Sequence, residues 1–214
     1  VQDYADIAAA TQAVYEMIFD HLLFHTKRIV GSKNIVLMGG CALNCVANGM
    51  AYKYFKNAWI MPNPGDAGSS VGCVLDHIKQ KVEFATPYLG YNIPGDYPVN
   101  AALEQLTSVG MVGVANGRAE FGPRALGNRS LLADPRGPDM QDLVNTVKQR
   151  QAFRPFAPVI MAEHVHEYFE MPKGCDHSPY MQFIGRTRDP KSFPAITHLD
   201  GTSRVQTVTR EQHP

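Results

Sequence analysis

Between Gly117 and Arg154 the chain places Arg118, Arg124, Arg129, Arg136, Arg150 and Arg154, six of its eleven arginines within 37 residues. Lys148 is the only lysine in that tract. A face charged for solubility mixes the two residues. Arginine alone supplies a planar fork that grips two oxygens of a phosphate or carboxylate, and the flanking glycines let a ligand come close. The pattern points to a small oxyanion. The competing reading is that these arginines pair with Glu120, Asp134, Asp139 and Asp142, but seven basic residues against those four acids leave charge over.

Two glycine-rich turns offer further chemistry. Gly39-Gly40-Cys41-Ala42-Leu43-Asn44 follows an apolar run and precedes a helical one. Glycines there admit a close backbone approach, and a helix start presents unpaired N–H groups to an anion. Gly39, Gly40 and Asn44 are therefore either nucleotide contacts or a plain tight turn. In Pro64-Gly65-Asp66-Ala67-Gly68-Ser69-Ser70 a carboxylate stands among small residues. Asp66 is either a helix cap or a lone metal ligand that needs partners from elsewhere. His21 and His25, four apart on a helix, share a face but lack a third ligand, and Cys41 and Cys45 read as small apolar residues beside the turn. None of these four is assigned a site.

The elements that carry these groups follow from periodicity. Apolar residues at Ile7, Val14, Ile18, Leu22 and Phe24 predict one long helix from Asp3 to Ile29. A strand over 35–38, a helix over 43–55, a strand over 58–61 and a helix opening at 67 and reaching Lys81 complete an alternating α/β layer. Pro87, Gly90, Pro94, Gly95 and Pro98 mark a connection between two folding units. Beyond it the pattern predicts helices over 101–106, 141–147 and 163–169 and strands over 110–115 and 158–161, with the arginine tract between them as loop and the last 40 residues as strand and loop.

Composition removes several classes of function. The 214 residues carry 20 basic and 20 acidic side chains and 44% apolar residues. A nucleic-acid binder held by general electrostatics needs a basic excess, a disordered chain needs fewer apolar residues, and no apolar run approaches a bilayer span. Four scattered cysteines make neither a disulfide lattice nor a zinc pattern, so a reducing, cytoplasmic setting is expected. The chain opens at Val1 inside a helical pattern and stops at Pro214 without a closing element, so both ends read as cut.

The stretches Gly39-Gly40-Cys41-Ala42-Leu43-Asn44, Asn63-Pro64-Gly65-Asp66-Ala67-Gly68, Gly117 through Ser130, Phe153-Arg154-Pro155-Phe156-Ala157-Pro158 and Thr197 through Gln206 closely resemble the NodU/CmcH family of O-carbamoyltransferases. The resemblance implies an α/β fold: residues 1–85 as the second half of an actin-like, sugar-kinase-type ATPase domain, and 86–214 as a YrdC-like α/β domain, both incomplete. It implies ATP and carbamoyl phosphate as substrates, a carbamoyl-adenylate intermediate and transfer to a hydroxyl of a sugar, nodulation factor or antibiotic. Carried over, Gly39, Gly40 and Asn44 contact the nucleotide, and Asp66 binds a divalent, iron-like metal. Arg118, Arg124, Asn128, Arg129 and Arg154 form the carbamoyl-phosphate and ATP cleft, with Lys148 and Arg150 beside them. The missing first half would carry the family's paired metal histidines, so this piece alone is expected to be inactive. The alternatives are a non-catalytic module that senses a phosphate metabolite and, on the related folds, a threonylcarbamoyl-adenylate enzyme of tRNA modification, which the neutral charge disfavours.

Overall fold

The computed structural model describes residues 2–212, a mixed α/β chain without a helix long and apolar enough to cross a membrane among those residues. The two ends that the sequence reading treats as cut, Val1 and His213–Pro214, lie outside them.

Helix α1 runs from Gln2 to Val30, close to its predicted span. Lys27 and Arg28 in its last turn suit the negative end of the helix dipole, and Gly31 at φ 68° closes it with an N–H bond to Lys27 O. One stripe is anchored: Leu23, with Phe19 beside it, packs on Ala51 and Phe55. Asp20 holds the Lys53 ammonium at 3.1 Å and the Tyr54 hydroxyl at 3.0 Å. The rest of the helix exposes Ile7, Val14, Met17, Ile18 and Leu22.

Strand β1, Asn34–Leu37, pairs in parallel with β2, Asn57–Ile60, as the alternation of helix and strand requires. The predicted helix over 43–55 is divided. A 3-10 turn over Gly40–Leu43, helix α2 at Cys45–Asn48 and a second 3-10 turn over Gly49–Lys53 replace it. The break has a polar cause: the buried Asn48 turns inward and its Nδ2 donates to Ala42 O at 2.8 Å and Gln182 O at 3.0 Å. Helix α3, Ser69–Ile78, follows a 3-10 turn at Asp66–Gly68 and ends where Lys79 takes a left-handed φ of 50°, short of the predicted Lys81.

Past the proline-rich connection come β3, Asn92–Ile93, then α4, Val99–Ser108, and β4, Met111–Ala115. The arginine tract is more ordered than its glycines suggest. It contains β5, Gly117–Arg118, paired with β3, and β6, Arg129–Ala133, paired antiparallel with β4. Helix α5 spans Met140–Val147, β7 spans Val159–Met161 and α6 spans Val165–Tyr168. Strands β8, Phe169–Glu170, β9, Phe183–Thr187, and β10, Thr202–Val208, join β7 in a four-stranded sheet of order β7-β10-β9-β8.

One core ties the two ends of the chain together. Ala42 and Ile60 are buried in a single cluster with Val165, Phe169, Met171, Cys175, Phe183, Ile196 and Val205. The side-chain amide of Gln182 donates to Ile60 O, and Asn48 crosses the same seam in the other direction.

Replacing Asn48 by Ala removes two buried donor bonds, to Ala42 O and Gln182 O, which costs about 1–3 kcal/mol. The expected outcome is a lower urea midpoint with an unchanged slope.

Candidate functional site

The tract 117–130 is held by charges used on its own backbone. Glu120 Oε1 accepts from the N–H groups of Leu126 at 2.8 Å, Asn128 at 2.8 Å and Arg129 at 3.2 Å. Ser130 Oγ accepts from Gly127 N–H at 2.9 Å. On the carbonyl side, Arg129 Nη1 donates to Asn116 O at 2.9 Å and Asn128 O at 2.6 Å, and its Nη2 to Tyr91 O at 2.9 Å and Gly117 O at 3.2 Å. The buried Asn128 donates to Arg118 O at 2.8 Å. Tyr88 and Gln206 both donate to Leu126 O, at 3.0 and 3.1 Å. Asn128 and Arg129 thus brace the loop through backbone groups.

The remaining cations gather elsewhere. Arg204 on β10 was not selected by spacing, and it is the centre of the group. Strand alternation sends Ser203 and Val205 into the core and puts Thr202, Arg204 and Gln206 on the face covered by the arginine loop, where Gln206 meets Leu126. Burial pushes the Arg204 guanidinium down from its ordinary range. Arg124 and Arg150 push the same way, against the neighbouring Cys45 thiol. Arg150 feels Arg154 and Lys148 feels Arg150, each shift led by burial, so Lys148, Arg150 and Arg154 continue the positive field. Asn145 fixes that end: its Nδ2 donates to Ala152 O and Arg154 O, its Oδ1 accepts from Arg150 Nε, and Arg150 stacks 4.5 Å above the Phe156 ring. Arg118 is exposed on β5, where its Nη1 donates to Gly90 O at 3.5 Å.

The expected neutralising acids do not reach these cations. Among the described residues only Arg136 of the tract forms an ion pair, with Asp134. Arg204 Nε is buried without any partner. Arg204 is thus a partly buried cation with a buried, unpaired Nε and no carboxylate partner among the described residues.

Both glycine turns border the site. Gly39, at φ 94°, donates its N–H to Pro64 O at 2.7 Å, so the 39–44 turn and the 63–68 loop touch. Arg124 lines one small cavity with Leu43, Pro62, Pro64, Tyr180 and Gln182. Gly122 is required there, because a Cβ on it would stand 2.7 Å from Pro62 O. Asn44 is engaged: its Nδ2 donates to Gln12 Oε1 at 2.9 Å and its Oδ1 caps Ala47 N–H at 3.2 Å. Gly40 is exposed, and so is Asp66, which begins a 3-10 turn; no group of three or more His, Cys, Asp or Glu residues suited to a metal occurs among the described residues.

Glu120→Ala removes a charged acceptor from three N–H groups and costs about 2–3 kcal/mol. The freed loop should then be cut by trypsin at Arg124 well before the unsubstituted protein is. Burial also orders the thiols, pushing Cys45 up and Cys175 up to about 11, while Cys41 and Cys73 are exposed. Iodoacetamide at pH 8 should label Cys41 and Cys73 first, Cys45 later and Cys175 last, read by mass spectrometry.

Comparison with known proteins matches two segments of the chain. Residues 1–75 match the family described as Carbamoyltransferase N-terminus and residues 103–214 the one described as Carbamoyltransferase C-terminus. Nodulation protein NolO of Bradyrhizobium diazoefficiens is 36% identical over 244 residues, covering 100% of this chain and 44% of the relative. Nodulation protein U of the same organism is 35% identical over 207 residues, covering 88% and 36%. The 3'-hydroxymethylcephem-O-carbamoyltransferase of Streptomyces clavuligerus is 36% identical over 205 residues, covering 84% and 37%. The chain spans less than half the length of each of these relatives. With both segments matched in order and similarity to NolO running along all of this chain, the chain belongs to the carbamoyltransferase family.

Proposed function

We propose that this chain carries the donor-binding part of an ATP-dependent O-carbamoyltransferase, an actin-like half-domain joined to a YrdC-like one. Its arginine cluster binds carbamoyl phosphate and ATP. The single observation behind this reading is the Arg204 Nε, buried without a hydrogen-bond partner, with no acid paired to Arg204, Arg124 or Arg150 among the described residues. Such a cluster has no partner of its own for that charge, and an acyl phosphate supplies one.

The residues divide the work by their surroundings. Arg204 and Arg124 hold phosphate oxygens, where fixed donors in a dry site stabilise charge that builds as the carbamoyl group is released from phosphate. Arg150, Arg154 and Lys148 extend the field toward the longer phosphate chain of ATP. Glu120, Asn128 and Arg129 hold the loop, and Arg118 stands at its exposed start. Water frees carbamate and phosphate from carbamoyl phosphate, a carbamate oxygen attacks the α-phosphorus of ATP to give carbamoyl-adenylate and pyrophosphate, and the carbamoyl group then passes to a hydroxyl of a sugar, nodulation factor or antibiotic as AMP leaves. Gly39 and Gly40 present backbone to the nucleotide. Asp66 is one carboxylate for a divalent, iron-like metal. The described residues do not complete a metal shell, and no step here runs through one.

The test is release of phosphate and pyrophosphate from carbamoyl phosphate and ATP by the intact protein. Arg124→Ala and Arg204→Ala should each lower the rate about 100-fold or more. Arg136→Ala, which only breaks an exposed pair with Asp134, should stay within about twofold. Phosphate-ligand binding without turnover in the intact protein would favour the sensing module instead.

A further inference from the structure

Three buried side-chain atoms of the described residues lack a hydrogen-bond partner: Asn48 Oδ1, His198 Nε2 and Arg204 Nε. The first lies in the core seam. The other two border one strand face: His198 Nδ1 lies 3.2 Å from Thr202 Oγ1, and Thr202 and Arg204 point to the same side of β10. His198 sits on the turn before β10 and meets Thr202, which shares the loop-covered face with Arg204.

The hydrogen bonds around His198 fix its tautomer. Thr202 Oγ1 donates its one proton to Asp200 Oδ1 at 2.7 Å, and the Thr202 N–H donates to the same oxygen at 2.9 Å. Its oxygen can therefore only accept from the ring, so His198 Nδ1, 3.2 Å away, carries the hydrogen. Nε2 is left with a bare lone pair. The turn is rigid: His198 N–H donates to Thr202 O at 2.8 Å and Gly201 N–H to His198 O at 2.9 Å.

A donor at Arg204 Nε and an acceptor at His198 Nε2 make a two-sided demand. A phosphate dianion offers only acceptors. A carbamoyl group offers an oxygen to the guanidinium and an N–H to the imidazole. We propose that His198 Nε2 accepts the amino group of the carbamoyl donor and is the residue that selects a carbamoyl phosphate over an acetyl phosphate. This rests on the arginine cluster being the donor site, and it assigns the substrate-reading half of that site to the turn 198–202. Thr202 and Asp200 are positioning residues that act through the ring.

Two stable probes separate the readings. Phosphonoacetamide carries the amide, and acetonylphosphonate replaces its amino group by methyl. Calorimetry on the intact protein should show phosphonoacetamide binding about tenfold tighter or more, the loss expected when a buried polar group is left unpaired. His198→Leu should bring the two probes within about twofold of each other and leave inorganic phosphate binding unchanged. Thr202→Val, a milder change, should narrow the preference by freeing the tautomer. In the unsubstituted protein, the ¹⁵N resonance of His198 Nε2 should move with phosphonoacetamide and stay with acetonylphosphonate. Phosphate binding that Arg124→Ala removes, with no preference between the phosphonates or one that survives His198→Leu, overturns this proposal and leaves the donor site standing. Failure of all three probes to bind removes the donor site and this proposal with it.

Discussion

Everything in the arginine site depends on where one carboxylate puts its charge. Glu120 lies four residues before Arg124, and an ion pair between them would have cancelled the field. Its oxygen instead takes three backbone N–H groups of the turn ahead. Those donors would otherwise be unpaired in a partly buried loop rich in glycine. Arg129 answers the opposite need by serving four carbonyls, a task suited to a planar group with five donors and unsuited to lysine. One acid and one base are thus absorbed by the chain itself, and Arg124 is left without a counter-charge.

Much of this fold is legible in the sequence, and the failures share a cause. Helix α1 and the strands near 35, 58, 112 and 160 announce themselves by local periodicity. What local pattern misses is anything decided by a distant partner. Asn48 breaks a helical run because Gln182 O lies 134 positions away. Strand β6 exists because β4 pairs with it, although its first residues read as part of a glycine-arginine loop. The site shows the same division. The arginine cluster is visible in the sequence as a source of positive charge, but spacing does not tell an arginine that braces backbone carbonyls from one left without a partner. Arg129 and Arg124, five apart, do different jobs. Arg204 stands 50 positions beyond Arg154 and inside a recognised motif; the signal that could have found it is its strand parity, since an arginine between the buried Ser203 and Val205 must face the other side of the sheet.

The seam between the two matched segments adds a second constraint. The 39–44 turn, the 62–68 loop and the 117–130 tract meet through Gly39 N–H on Pro64 O and the close approach of Gly122 to Pro62 O. Arg124 sits where they converge. The placement of Arg124 and the packing of one segment on the other are therefore not separate properties of this chain.

Strand β10 draws these threads into one element. Its odd-numbered side chains, Ser203, Val205 and Thr207, are buried on the core side, and Thr202, Arg204 and Gln206 lie on the side covered by the arginine loop. A slip of one residue in its pairing with β9 would turn Arg204 into the apolar core and Val205 toward the loop. Register is normally guarded by the greasy face alone, but here the charged face resists collapse until something neutralises it. A metabolite seated in the cluster would then work as a thermodynamic staple, and the cellular pool of that metabolite would help to set how much of the protein survives quality control.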